Sequence, residues 1–338
     1  MIKEMISKIV EGKNLTKDEA NEVFNDIMNG QATDAQIGSF LTALRMKGET
    51  IDEIQGAAES MRSVSSRVTY NGKENVLDVV GTGGDKKKTF NISTASAIVA
   101  AGTGCVVAKH GNRSVSSQSG SADVLESLGV NIETTPQRNS EILNKIGFAF
   151  LYAPKHHLAM KYAIGARKEI GIRTIFNILG PITNPARPNT FLLGAYNVDL
   201  AEKLAFVLAG LKAKKAFVVH GSGYDEITLT GKTIVFDVEK GKVEKIEITP
   251  EKFGFKKCKE KDLEVHNPTE SSEIIMKILS GKEKGPKLDA VLLNAGFAIY
   301  ANGKAKNPKD GIELARRSIE SGKAKEKLEQ LIAETKKA

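Results

Sequence analysis

From Val76 onward the chain repeats one pattern, a short apolar run closed by small or polar residues and then a stretch with helical spacing. The runs are Val76-Leu77-Asp78-Val79-Val80, Val106-Val107-Ala108, Phe148 to Tyr152, Phe191 to Ala195 and Ala216 to Val219. Each is short and bounded by turn-forming residues, and several are rich in valine or phenylalanine, so each reads as a buried strand. Helical patterns lie between most of them. Strands alternating with helices predict an α/β fold with a mostly parallel central sheet. Thr233 to Val238 and Val243 to Ile248, joined around Gly241, read as a hairpin at a sheet edge, which makes the sheet mixed. From Glu270 onward the chain reads as helical and Lys-rich, with a break at Lys282 to Lys287.

The first 65 or so residues have a different texture. Ile2, Met5, Ile6 and Ile9 fall on one helical face. Thr16 with Glu19, Thr33 with Gln36 and Thr50 with Glu53 each have the spacing of a capping box, in which hydroxyl and carboxylate or amide satisfy each other's backbone N–H groups. Gly30 and Gly48 stand where the second and third helices should stop. Four short helices follow from these signals. Their own core is modest, so the unit is expected to pack on the rest of the chain or on a second copy.

At 338 residues the chain is long enough to bury a core without disulfides or structural metal. Cys105 and Cys258 form neither a CxxC pair nor a zinc spacing, which fits a reducing cytoplasm. No apolar run approaches the length of a membrane span, and the charged, amphipathic start does not read as a signal peptide. The net charge of +8 favours anionic partners such as phosphates.

The residues able to carry chemistry cluster just after the strands. Gly81-Thr82-Gly83-Gly84-Asp85 follows the first run, and its glycines let backbone amides approach an anion without Cβ obstruction. The spacing is neither GxxxxGK[ST] nor GxGxxG, so ATPase and dinucleotide readings are weak. Asn91-Ile92-Ser93-Thr94 opens a small-residue helix whose first amides favour a phosphate, with Ser93 or Thr94 as the expected cap. Lys109-His110-Gly111-Asn112-Arg113 stands at the end of the second strand, where open α/β sheets bind ligands. Ser116 to Ser121 offers hydroxyls and amides before another helix. Asp225-Glu226 pairs two carboxylates, a donor set that suits Mg²⁺ alongside a substrate phosphate. His157, Tyr162 and Arg167 are read on one helix, and Arg167 is suited to a bidentate grip on a carboxylate.

Taken together, GTGGD, NIST, KHGNR, SGSADVLE, GIRTIFNILGP and the Asp-Glu pair resemble the anthranilate phosphoribosyltransferase family over nearly the whole chain. The resemblance includes the early stretch Ala43 to Thr50. It implies a small helical domain over residues 1–69, completed by a returning segment near 160–188, and an α/β domain over 70–338 of the nucleoside phosphorylase and phosphoribosyltransferase type. It implies a homodimer through the helical domain, with no membrane contact and no nucleic-acid role. The substrates would be phosphoribosyl pyrophosphate and anthranilate, with Mg²⁺ as cofactor.

By the same resemblance, Gly81, Gly83, Gly84, Asp85, Thr89, Asn91, Ser93, Thr94, Lys109, Ser119, Gly120 and Ser121 would hold phosphoribosyl pyrophosphate. Asp225 and Glu226, joined by Ser93, would hold Mg²⁺, and these two carboxylates with Lys109 would be the catalytic groups. Gly81, His110, Asn112, His157, Arg167 and Pro181 would line the anthranilate path. The chain departs from the family at Lys86-Lys87-Lys88, where small or neutral residues are usual; this reads as a solvated run. Gln118 stands where lysine is common. A pyrimidine nucleoside phosphorylase and a non-catalytic nucleic-acid-binding relative are the competing readings. The Lys-His-Ser-Thr-Gly-Gly type of phosphate loop expected of such a phosphorylase is missing, and 6% aromatic residues with no tryptophan give no evident stacking platform for bases.

Overall fold

A computed structural model describes residues 1–85, 87–113 and 120–337. The chain opens with four helices: α1 (Ile2–Val10), α2 (Lys17–Met28), α3 (Asp34–Lys47) and α4 (Ile51–Val64). All three capping boxes form, with Thr16, Thr33 and Thr50 each accepting from the N–H three residues on and the Glu or Gln reaching back. Gly48 ends α3 at φ +87°, a conformation that side chains with a Cβ resist. Helices α2 and α4 approach so closely at Gly56 that a Cβ there would lie 2.2 Å from the Lys17 carbonyl oxygen. Glu53 is fully buried yet satisfied: it accepts from the N–H groups of Leu15 and Thr50 and from Lys47 Nζ at 2.8–2.9 Å.

The α/β part runs β1 (Val76–Gly81), α5 (Ile92–Gly102), β2 (Val106–Gly111), α6 (Ser121–Ser127), α7 (Pro136–Ile146) and β3 (Phe148–Tyr152). Then come α8 (Ala153–His156), α9 (Lys161–Ile170), α10 (Phe176–Leu179), β4 (Thr190–Gly194), α11 (Val198–Gly210) and β5 (Lys215–His220). The hairpin is β6 (Thr233–Glu239) with β7 (Lys242–Ile248). The chain closes on α12 (Pro268–Leu279), α13 (Pro286–Asn302), α14 (Pro308–Glu320) and α15 (Lys323–Thr335).

The strands form one seven-stranded sheet in the order β3-β2-β1-β4-β5-β6-β7. The first five strands are parallel, and the hairpin is antiparallel at the edge, as the sequence predicts. Alternate side chains enter opposite cores, because successive residues of a strand face opposite sides. Leu192, Phe217 and Val219 join α5, α13 and α15, while Phe191, Leu193 and Val218 join the first helices and α11. The helical start therefore shares a core with the sheet. Helices α9 and α10 return to it: Ala163, Ala166 and Phe176 are buried among α2, α3 and α4, and the Phe24 and Phe176 rings stand 5.6 Å apart edge to face.

Two local expectations are corrected. The α5 cap is Asn91, whose Oδ1 accepts from the Thr94 N–H at 3.1 Å, and not Ser93 or Thr94. His157 is not on the helix that carries Tyr162 and Arg167. It lies between α8 and a 3-10 turn at Leu158–Met160, and α9 starts only afterwards.

One parallel pair is incomplete. β1 pairs with β4 over five positions and β2 with β3 over five, but β1 and β2 pair only at Val76↔Val106 and Leu77↔Val107. Beyond that the two strands fork, and side chains fill the fork. Asp78 Oδ1 accepts from the His110 N–H at 3.3 Å, Asn184 Nδ2 donates to Asp78 Oδ2 and to the Ala108 carbonyl at 2.8 Å, and Lys109 Nζ donates to the Val79 carbonyl. Burial pushes the Asp78 carboxyl up to about 7.

Candidate active site

A cleft of about 580 Å³ opens at the C-terminal ends of the parallel strands. Its walls contain Gly81, Gly83, Gly84, Asp85, Thr89, Asn91, Ser93, Lys109, Gly120, Ser121, Asp225 and Glu226. His110, Asn112, Arg167 and Pro181 line it as well. Thr94 and His157 stand behind the wall: both are buried, and Thr94 Oγ1 bonds Asn91 Oδ1. Ser119 lies outside the described residues, as do Lys86 and Gln118.

Three carboxylates meet at one end. Asp85, Asp225 and Glu226 each present an oxygen, all within 4.8 Å of one another. Asp225 is seated by two paired glycines, Gly81 of β1 and Gly194 of β4. A Cβ on Gly194 would overlap the Asp225 carbonyl at 1.4 Å, and one on Gly81 would reach 2.3 Å from Oδ2. The Gly83 N–H donates to Asp225 Oδ2 at 2.7 Å, which fixes the glycine loop to the acidic segment. Burial, and then the Asp85 charge, push the Asp225 carboxyl up to about 7. Burial likewise raises Asp85, and burial with the Asp225 charge raises Glu226 well above the ordinary range. Glu226 Oε2 is buried without a hydrogen-bond partner among the described residues. Three crowded hard oxygens, one of them unsatisfied, fit a divalent cation such as Mg²⁺.

Cationic and dipolar groups stand beside them. Lys109 is almost fully buried, and its Nζ also donates to Ser93 Oγ at 3.3 Å. Burial lowers its ammonium to about 8, against the pull of Asp78, Glu226 and Asp225. The N-terminus of α5 opens into the same wall at Asn91 and Ser93, adding backbone N–H groups and the positive end of a helix dipole. Arg113, at the end of the same run as Lys109, is paired with Asp123 at 3.0 Å and Glu126 at 2.8 Å.

The other end sets two uncharged imidazoles near one arginine. The His110 and His157 rings are 5.1 Å apart, and each has a buried Nε2 without a partner among the described residues. His110 Nδ1 lies 3.0 Å from the Gly180 carbonyl, which only accepts, so the proton is assigned to Nδ1 and Nε2 is left an acceptor. Burial holds His157 down to about 4 and His110 well below its ordinary value, each helped by a neighbouring imidazole. Arg167 sits over the Phe176 ring at 5.0 Å, half-buried, with no ion pair among the described residues.

Sequence reasoning placed Asp85 only with the phosphate-binding glycines, yet it is the third carboxylate of the cluster. It also missed Arg173, whose Nη2 donates to the Gly84 carbonyl at 3.1 Å while its guanidinium lies over Tyr196 at 5.3 Å. The only signal for Arg173 was its place inside the quoted GIRT stretch.

The fold and the cleft correspond to one class of enzyme. Residues 3–65 match the glycosyl transferase family's helical bundle domain, and residues 73–325 match that family's a/b domain. An anthranilate phosphoribosyltransferase of Desulfosudis oleivorans is 51% identical over 99% of both chains. The solved anthranilate phosphoribosyltransferase of Thermus thermophilus superposes with a TM-score of 0.93 at 40% identity, covering 98% of this chain and 99% of that one. The Saccharomyces cerevisiae enzyme in complex with PRPP and Mg gives a TM-score of 0.90 at 30% identity over 99% and 97%. The same yeast enzyme has been solved in complex with 4-fluoroanthranilate, with a TM-score of 0.89 at 29% identity over 99% and 97%. The chain belongs to the anthranilate phosphoribosyltransferase family.

Proposed function

We propose that this cleft transfers the phosphoribosyl group of phosphoribosyl pyrophosphate to the amine of anthranilate, giving N-(5-phosphoribosyl)anthranilate and pyrophosphate in tryptophan biosynthesis. The observation that carries the reading is the polarity of the cleft. One end gathers three carboxylates, Lys109 and a helix N-terminus; the other has neutral imidazoles and a half-buried arginine. The yeast relative's complexes with PRPP and Mg and with 4-fluoroanthranilate supply both ligand classes. The family match and the retained acidic cluster favour this reading over a nucleoside phosphorylase or a non-catalytic relative.

In this mechanism the N–C1 bond forms as the C1–pyrophosphate bond breaks, and the nitrogen, made cationic by the attack, then gives its proton to the departing pyrophosphate or to water. Asp225, Glu226 and Asp85, with Ser93 alongside, hold Mg²⁺. The cation supplies charge neutralisation on the departing pyrophosphate. Lys109, Ser93 and the N–H groups of Gly84 and Ser121 bind phosphoryl oxygens where negative charge develops, while Gly83 and Gly120, whose own N–H groups are tied to Asp225 and Asp123, shape the loops beside them. Asn91 shapes the start of α5, and Thr89 borders the same wall. Ser119 is assigned here by the resemblance alone. Arg167 grips the anthranilate carboxylate, while His110, Asn112 and Pro181 shape the acceptor path and His157 backs His110. The aromatic amine is already neutral at pH 7, so no general base is assigned. Holding both substrates in one cleft supplies orientation, and closing it excludes water that would otherwise hydrolyse the activated sugar.

Residues 1–69 with the returning 160–188 form the helical domain in this reading, and 70–338 the donor domain. A second copy would cover the apolar side chains exposed on α1, α3 and α9, Val10, Met46, Tyr162 and Ile164, making a cytoplasmic homodimer. No described helix is long and apolar enough to cross a membrane. The test is direct because the chain has no tryptophan. Anthranilate fluorescence should fall only when phosphoribosyl pyrophosphate and Mg²⁺ are both present, and EDTA should stop it. A folded protein that leaves the fluorescence unchanged removes the assignment.

A further inference from the structure

The run after the glycine loop is not uniformly solvated. Lys87 and Lys88 both line the cleft, but Lys88 is exposed and Lys87 is half-buried. Its Nζ lies 2.6 Å from Glu260 Oε1 and 4.9 Å from the centroid of the Tyr224 ring, and Tyr224 immediately precedes Asp225. Its own N–H donates to Asp85 Oδ1 at 3.0 Å. The backbone of Lys87 thus touches the carboxylate cluster that the proposed function gives to the metal, while its ammonium pairs with Glu260 over the neighbouring Tyr224 ring.

The backbone at this point is tied down. Thr89 bridges Glu264, the Val265 N–H donates to the Lys88 carbonyl at 2.7 Å, and the Phe90 N–H donates to the Leu263 carbonyl at 3.3 Å. The long Lys87 stem can change partners without moving the loop. Its present partner is weak competition: the Glu260 side chain is 56% exposed, and ion pairs so open to water hold loosely. A pyrophosphate offers several charges and many acceptor oxygens to the same ammonium.

We infer that Lys87 is a further pyrophosphate-binding residue, held on Glu260 in the empty cleft and passed to the pyrophosphate oxygens when the donor binds. This rests on the donor site proposed above. Glu260 then acts as a competitor that weakens donor and product binding and helps pyrophosphate leave.

The test uses the intact protein with Lys87→Met, Glu260→Gln and the double variant. KM is measured for each substrate, and pyrophosphate binding with Mg²⁺ is measured by calorimetry. Lys87→Met should raise the KM for phosphoribosyl pyrophosphate and the Kd of pyrophosphate about five- to tenfold, whereas Glu260→Gln should lower both about two- to threefold. The double variant should follow Lys87→Met, and the anthranilate KM should stay put. Two single variants that shift in the same direction would show a structural latch and overturn the inference, as would an unchanged Lys87→Met. Opposite shifts in pyrophosphate affinity from a protein that transfers nothing would keep the Lys87 site and sink the assigned reaction.

Discussion

The two ends of the cleft solve opposite electrostatic problems. At the acidic end Asp85, Asp225 and Glu226 are crowded until their carboxyls rise, a state that a bound cation relieves. At the histidine end burial does the reverse, keeping His110 and His157 uncharged with one nitrogen each unsatisfied. One end is poised to receive positive charge and the anion it carries, while the other sets uncharged imidazoles beside a single cation, Arg167.

The comparison breaks most sharply at the carboxylates. Asp225→Asn with Glu226→Gln should lower kcat/KM by about three orders of magnitude and abolish the Mg²⁺ dependence of pyrophosphate binding. An unchanged Mg²⁺ titration would remove both residues from the metal.

The two ends should also respond to pH with opposite sign. His157 is depressed to about 4 from 6.5, so below 6.5 the unfolded chain takes up a proton that the folded chain refuses. Stability should fall as pH drops toward 4, by about 3 kcal/mol from this group. Asp225 is raised to about 7 from 3.8, so without metal stability should fall as pH climbs through that window. The two windows overlap, so melting temperatures from pH 4 to 8 in EDTA are read as differences from the unaltered protein: His157→Gln should remove the acid limb and Asp225→Asn the loss toward pH 7. An acid limb as steep as in the unaltered protein would show that His157 is not the buried base.

A smaller effect sharpens the acceptor end. Arg167→Ala should raise the anthranilate KM about 30-fold and leave the phosphoribosyl pyrophosphate KM alone, the cost of a lost charge-assisted contact to one substrate. Equal rises in both would place Arg167 in the fold and not in recognition. Smallest of all, Thr33→Ala removes the α3 cap, far from either end, and should cost about 1 kcal/mol of stability in a denaturant titration with neither KM changed.

What was legible in the sequence was local. The capping boxes of α2, α3 and α4 span four residues each, and the strand runs declare themselves by composition, so both could be read without knowing what packs on them. The phosphate-side motifs were legible because each sits directly after a strand. The losses came where several local choices were equivalent or where partners are distant. Asn91, Ser93 and Thr94 all resemble caps, and only the backbone entry into α5 selects Asn91. His157 seemed continuous with Arg167 because the 3-10 turn between them carries no glycine or proline. The tie from Gly83 to Asp225 spans 142 positions, and only the paired glycines of β1 and β4 bring the acidic segment onto the loop that holds Asp85.

The fork between β1 and β2 has a meaning beyond catalysis. A sheet that unzips partway creates an edge inside itself, with backbone donors and acceptors that any stray strand could use. Here Asp78, Lys109 and Asn184 occupy those groups and act as plugs for an internal seam. The plugs turn a folding hazard into a fixed junction between two neighbouring strands.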